Sequence, residues 1–305
     1  MQTMVVKSII RFSHRIERFR ARGGYSGLDR LKPDANQQFA KSEIEFSDHE
    51  AFLSNLAGVD FQTLIAGKTV LDFGSGNGGR TVWLAKKARH VEGVEVAPSL
   101  VETSRAYARF KTASNVRFTL GGEDRLEYPD EHFDAIVSLD VLEHVQQPAA
   151  ILRELYRVLK PGGEAIIIFT PWLGMFSHHL NYITVFPALH WFFSPRSIIA
   201  AVNELMASDS AFTSLGVSPQ PDPPLSFNGR RRCLPTVNGM TKPEYLALVK
   251  QAGFEIALSR CTPILERWNL LGAAGRALNR GLTALPVADE MFSHNLVTVL
   301  RKPTG

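Results

Sequence analysis

The sequence predicts an α/β fold built on a mostly parallel sheet with helices on both faces. Three observations predict it. Short apolar runs at 68–73, 90–95, 115–120, 133–139 and 164–170 alternate with helical patterns near 77–88, 98–111 and 147–159. The first run ends in an acid and a glycine-rich turn, Val70-Leu71-Asp72-Phe73-Gly74-Ser75-Gly76-Asn77-Gly78-Gly79. Strand-like runs return at 254–261 and 294–301, after a helix expected over 241–252.

The apolar Val70-Leu71, closed by Asp72 and Phe73, reads as part of a buried parallel strand. Glycines at 74, 76 and 78 let the strand turn sharply into a helix and let backbone N–H groups approach a ligand. Gly74, Gly76 and Gly79 also spell the G-x-G-x-x-G of a dinucleotide fingerprint, a weak signal when alone. Asp72 would sit badly beside a pyrophosphate and better suits a ligand carrying positive charge. No Gly-Lys-Ser/Thr follows, which excludes a P-loop.

Ligands of such sheets bind at the carboxyl ends of the strands, so the polar residues there are the candidates. Asp72 lies near the end of the first strand, and Glu95 ends the second, followed by Val96. A carboxylate about twenty residues after a glycine turn can accept both hydroxyls of a ribose. Gly121-Gly122-Glu123-Asp124 follows the third strand, and Leu139-Asp140-Val141-Leu142-Glu143-His144 the fourth. In the closing helix, Thr241 and Glu244 have capping-box spacing, Pro243 suits the first turn and Gly253 the stop.

The 305 residues suffice for one large domain with insertions, and 45% apolar with 21% charged residues is ordinary for a globular protein. Cys233 and Cys261 are the only cysteines, with no C-x-x-C or histidine-rich spacing. A disulfide framework or structural zinc is therefore not expected, which fits a cytoplasmic, reducing compartment. No run of eighteen apolar residues suggests a membrane span. The net charge of +4 is uneven: residues 1–32 hold eight Lys/Arg against Glu17 and Asp29, leaving the remainder at −2. That balance argues against a nucleic-acid face on the body of the protein.

Residues 5–22 read as an amphipathic helix, with Ile9, Phe12, Ile16 and Phe19 on one face and Lys7, Arg11, Arg15, Arg18 and Arg22 around the rest. Such a helix caps the fold with its apolar stripe, lies on an anionic membrane surface or serves as an organelle-targeting peptide. Gly23-Gly24 would end it, and a second helix is expected at about 43–57.

In combination, Val70 to Gly78, Glu95, Phe133 to Ser138 with Asp140 to Val145, and Leu159-Lys160-Pro161-Gly162-Gly163 resemble the class I S-adenosylmethionine-dependent methyltransferases, in particular the small-molecule and quinone-biosynthesis group. The resemblance covers roughly 65–171, 241–261 and 294–302. It implies a Rossmann-like, seven-stranded, mostly parallel sheet whose last strand is inserted antiparallel. It further implies that Asp72 and the Gly74 backbone hold the methionine amine, that Gly76 and Gly78 allow close approach, that Glu95 grips the ribose, and that Leu139 and Asp140 border the sulfonium. Relatives commonly carry Gly-Asp at 121–122; here Gly122 takes the second place, and Glu123 or Asp124 substitutes toward the adenine.

The expected domains are an N-terminal helical cap, 1–60, and a methyltransferase domain, 61–305, interrupted by a substrate lid at 171–240 and a second insertion at 262–293. The lid is rich in aromatic residues and histidines from Trp172 through Tyr182 to Phe193, which suits either a partly apolar acceptor or a packed helical subdomain. Methyl transfer to a hydroxyl needs a base, and His178 and His179 are the first candidates, with His190 and His144 behind them. No metal is required. Two rival readings are RNA methylation, resting on Arg230-Arg231-Arg232, and a non-catalytic cofactor-binding scaffold.

Overall fold

The computed structural model describes residues 1–22, 39, 41–46, 60–122, 124–180, 183–184, 186–213, 218–263, 281 and 287–304. The Gly23-Gly24 break, residues 47–57 of the second helix, Glu123, Tyr182 and most of the second insertion lie outside these residues.

Seven strands form one sheet: β1 (Thr69–Phe73), β2 (His90–Glu95), β3 (Val116–Leu120), β4 (Phe133–Leu139), β5 (Leu159–Phe169), β6 (Glu255–Pro263) and β7 (Ser293–Arg301). Their order is β3-β2-β1-β4-β5-β7-β6. The pairs β1/β2, β1/β4, β2/β3 and β4/β5 are parallel. Gly162 N donates to Lys302 O (2.8 Å) and Lys302 N to Gly163 O (3.1 Å), while Thr298 Oγ1 reaches Ile167 O (3.1 Å). Residue numbers thus fall on one strand as they rise on the other, so β7 runs antiparallel to β5. Strand direction and sheet class agree with the sequence reading.

The helices are α1 (Gln2–Arg22), α2 (41–46), α3 (Phe61–Ile65), α4 (Gly79–Leu84), α5 (Pro98–Phe110), α6 (Pro148–Val158), α7 (Leu189–Phe192), α8 (Pro195–Ser208), α9 (Ser210–Thr213), α10 (Lys242–Gln251) and α11 (Ala288–Met291). At α10, Glu244 makes its half of the expected capping box, accepting from Thr241 N at 2.9 Å and from its hydroxyl at 2.8 Å. Gly253 ends the following turn at φ +99°, which a side chain would strain.

The chain divides into two compact units. One holds residues 33–169, 245–260 and 297–305, and its core is built on Val70, Leu84, Val91, Ala135, Val137, Ile166 and Ile168, all fully buried or nearly so. The other holds 1–32, 170–244 and 261–296. This division differs from the sequence reading, because α1 groups with the insertions and α2 with the sheet.

In the second unit α1 and α8 run side by side in the same direction. Three contacts step along both: Gln2 Oε1 with Ser197 Oγ (3.0 Å), Lys7 with Glu204 (2.6 Å) and Arg11 with Asp209 (3.0 Å). Holding Lys7 and Arg11 on those acids turns Val6 and Ile10 inward, where both are 0% exposed against Ile198, Val202 and Leu205. The expected packing stripe is therefore corrected: Phe12 is 64% exposed, and only Ile9 of the described stripe residues is partly buried. Trp172, Leu189 and Phe212 belong to the same core, so much of the aromatic content of the insertion is packing.

Candidate functional site

The strand order reverses between β1 and β4, and a cavity of about 520 Å³ opens at the carboxyl ends of those strands. That is the crevice where open parallel sheets take ligands, and its size is in the range of about 300–1,000 Å³ usual for small-molecule sites. Gly74, Gly76, Glu95, Val96, Leu139 and Asp140, expected from the sequence, all line it.

The turn after β1 is held from several sides. Gly74 N and Ser75 N both donate to Val94 O at 2.9 Å. Gly74 stands at φ +76°, and a Cβ there would run into the side chain of Val141, so any other residue has neither the conformation nor the room. Glu95 Oε2 accepts from Gly76 N (3.1 Å), while Oε1 accepts from Val96 N (2.8 Å) and Ala97 N (3.1 Å). Those bonds fix the carboxylate at the cavity wall and leave lone pairs for a diol. Gly78 does not line the cavity. Its role is packing, since a Cβ there would come within 2.8 Å of Ser104 Cβ.

Asp72 is the main correction. It is 0% exposed and faces inward, with Oδ1 accepting from Arg80 Nε and Oδ2 from Thr81 Oγ1, each at 2.6 Å. Arg80 also donates to Gly74 O (2.6 Å) and Leu139 O (3.3 Å), tying the end of β1 to the end of β4. Asp72 thus positions the turn rather than presenting its carboxylate to the cavity. The acid that the sequence reading missed is Glu45 on α2. It lines the cavity and accepts from Asn77 N (3.2 Å), Asn77 Nδ2 (2.8 Å) and Gly79 N (3.1 Å). Ser42 adds a bond to Asn77 O at 2.7 Å.

Asp140 carries a second signal. Its φ of +54° is the left-handed region that a non-glycine residue enters at a cost, and its backbone N donates to Ile168 O at 2.8 Å. The strained turn directs the chain after β4 along the cavity, where Val141, His144, Val145 and Gln146 follow. Gly122 lines the wall on the β3 side, whereas Asp124 is exposed and off the cavity.

The histidines are also redistributed. His178 is 1% exposed in the core of the second unit, and its Nδ1 accepts from Leu180 N at 3.0 Å. Burial, with His190 nearby, lowers its pKa to about 4, so the ring is neutral near pH 7 with its proton on Nε2 and no lone pair to spare. His190 is likewise lowered to about 4 by burial and bonds Trp172 O through Nε2 at 2.9 Å. His179 is half-buried at φ +52°. Neither His178 nor His179 lines the cavity; His144, ranked behind them, does. Of the three arginines at 230–232, Arg231 is paired with Glu244 (2.6 Å) and Arg232 donates to Pro223 O (2.6 Å), so the run is largely structural.

The charges at the cavity select among ligands. Glu45, Glu95 and Asp140 face it, and its one arginine among the described residues is already committed to Asp72 and two carbonyls. A pyrophosphate would meet three carboxylates and a guanidinium held by other partners, which removes the dinucleotide reading. A sulfonium with an ammonium group and a ribose suits the same set of acceptors.

Residues 71–167 match the family described as "Methyltransferase domain". A demethylmenaquinone methyltransferase of Tropheryma whipplei is 32% identical over 146 residues, 48% of this chain and 56% of that protein. A ubiquinone biosynthesis O-methyltransferase of Xylella fastidiosa is 35% identical over 104 residues, 34% of this chain and 42% of its own. A phosphoethanolamine N-methyltransferase 3 of Arabidopsis thaliana is 34% identical over 110 residues, 36% of this chain and 22% of its own. The chain therefore spans about half the length, or less, of these relatives. With the sheet order, the match makes residues 71–167 similar to a methyltransferase domain.

Proposed function

We propose that the chain transfers a methyl group from S-adenosylmethionine to an oxygen of a small molecule with an apolar or planar surface. The observation that carries the cofactor part is the cavity itself, with three carboxylates around a glycine turn whose arginine is neutralised from below. Bound there, the cofactor supplies an electrophilic methyl on a cationic sulfur. Glu95 would accept the ribose hydroxyls, the Gly74–Gly76 backbone would lie against the methionine end, and Leu139 with Asp140 would border the sulfonium. Glu45 takes the ammonium in place of the inward-facing Asp72. His144, which lines the cavity, would receive the proton of an acceptor hydroxyl.

Support for the acceptor class comes from two of the relatives, whose names concern menaquinone and ubiquinone, ring systems with apolar tails. The mostly apolar character of Phe73, Val94, Leu139, Val141 and Val145 along the cavity suits such a partner. The test is transfer of labelled methyl from the cofactor to quinols, other phenols and fractionated lipids, with an RNA arm. Label in a phenolic or lipid fraction supports the reading. Label in RNA, or cofactor binding with no transfer to any fraction, replaces it with the RNA enzyme or the scaffold.

A further inference from the structure

We propose that the outward face of α1 docks on an anionic lipid surface. The helix has two apolar faces rather than one. The inward face, Val6 and Ile10, is consumed by α8. The outward face is uncovered among the described residues: Met4 is 72%, Val5 44% and Phe12 64% exposed, beside a fully exposed Met1.

The charge pattern says what covers this face. Residues 1–22 contain Lys7 and five arginines, at 11, 15, 18, 20 and 22, against the single acid Glu17. Lys7 and Arg11 are balanced by Glu204 and Asp209, but Arg15 is exposed and has no such acid among the described residues. Arg15 follows Phe12 by three residues, which sets it beside the exposed apolar residues. An apolar stripe flanked by arginines inserts at the boundary between acyl chains and headgroups, the guanidinium groups meeting phosphates. A second copy of the same face would instead bring like charges together at Arg15. The helix is not long and apolar enough to cross a membrane, so the contact is peripheral.

This inference stands apart from the methyl-transfer reading, since flotation tests one and cofactor titration the other. The experiment is flotation of the full chain with vesicles of phosphatidylcholine alone and of phosphatidylcholine mixed with phosphatidylglycerol, at low and high salt. The expected result is flotation with the anionic vesicles only, weakened by salt. Phe12→Glu should reduce that binding by about tenfold or more, and Arg15→Glu by several-fold, with an unchanged melting temperature because both side chains are exposed. Absence from the anionic vesicle fraction, or equal flotation of Phe12→Glu and wild type, overturns the proposal. Sedimentation showing a dimer that Phe12→Glu dissolves, with no vesicle binding, assigns the face to a second copy and overturns it equally.

Discussion

Arg80 and Asp72 form a buried ion pair beneath the glycine turn, Nε to Oδ1 at 2.6 Å, with side chains 6% and 0% exposed. The pair couples local structure to the site, because the same guanidinium bonds Gly74 O and Leu139 O. Asp72→Asn keeps the shape but leaves a buried positive charge uncompensated, which costs about 3–5 kcal/mol. Urea unfolding should show that loss. A change under about 1 kcal/mol would mean the pair does not hold the turn.

Substitution of Glu45 tests its proposed contact with the ammonium end of the cofactor. Glu45→Gln should weaken S-adenosylmethionine about 10- to 150-fold, corresponding to the roughly 1.5–3 kcal/mol of a hydrogen bond to a charged group. Methylthioadenosine, which lacks the amino-acid end, should bind as before. Equal losses for both ligands in calorimetry would show that Glu45 only supports the turn through Asn77 and Gly79.

At the ribose, Glu95→Ala should also cost about 1.5–3 kcal/mol, and here methylthioadenosine should lose affinity together with S-adenosylmethionine. Unchanged affinity for either ligand would remove the ribose role.

The histidines predict opposite effects. His144→Ala should lower kcat by about 10²–10⁴-fold with cofactor affinity intact. His178→Ala should destabilise the chain by about 1–3 kcal/mol through the lost bond to Leu180 N and leave kcat in place. Full turnover by His144→Ala would move the base elsewhere.

Glu290 makes stability depend on pH. It is 1% exposed, accepts from Leu173 N and Lys242 N at 3.0 Å each, and burial raises its pKa from the usual 4.5 to about 7. The folded state holds this proton more tightly than the unfolded one. Its stabilising effect is therefore complete below about pH 4.5 and is lost as pH rises through about 7, on the order of 2–3 kcal/mol. Glu290→Gln should flatten urea midpoints compared between about pH 5 and about pH 8. Persistence of the full slope in the variant would assign it to other groups.

The sheet was legible because buried parallel strands are rich in apolar residues: Val70–Phe73 and Phe133–Leu139 are mostly apolar, and glycine or acid follows each. That Glu95 and Asp140 would line a cavity was legible from their places at strand ends. Glu45 was not, because its bonds to Asn77 and Gly79 cross more than thirty positions and no local pattern announces them. Asp72 misled for a related reason: Arg80 eight residues later reads as one more surface charge until α4 turns it back beneath the strand. The rotation of α1 was equally hidden. Val6 and Ile10 compete with Val5 and Phe12 as packing stripes, and periodicity alone does not choose between them.

The antiparallel strand between β5 and β6 has a consequence for how the chain comes together. β6 is complete by residue 263, yet it adjoins the sheet only through β7, which ends at Arg301. During synthesis, one side of β5 and the whole of β6 wait with unsatisfied edges for the nine residues of β7. The keystone of the sheet is thus the last of its strands to be laid, and a nascent chain stopped short of it would present two sticky borders to its neighbours and to chaperones.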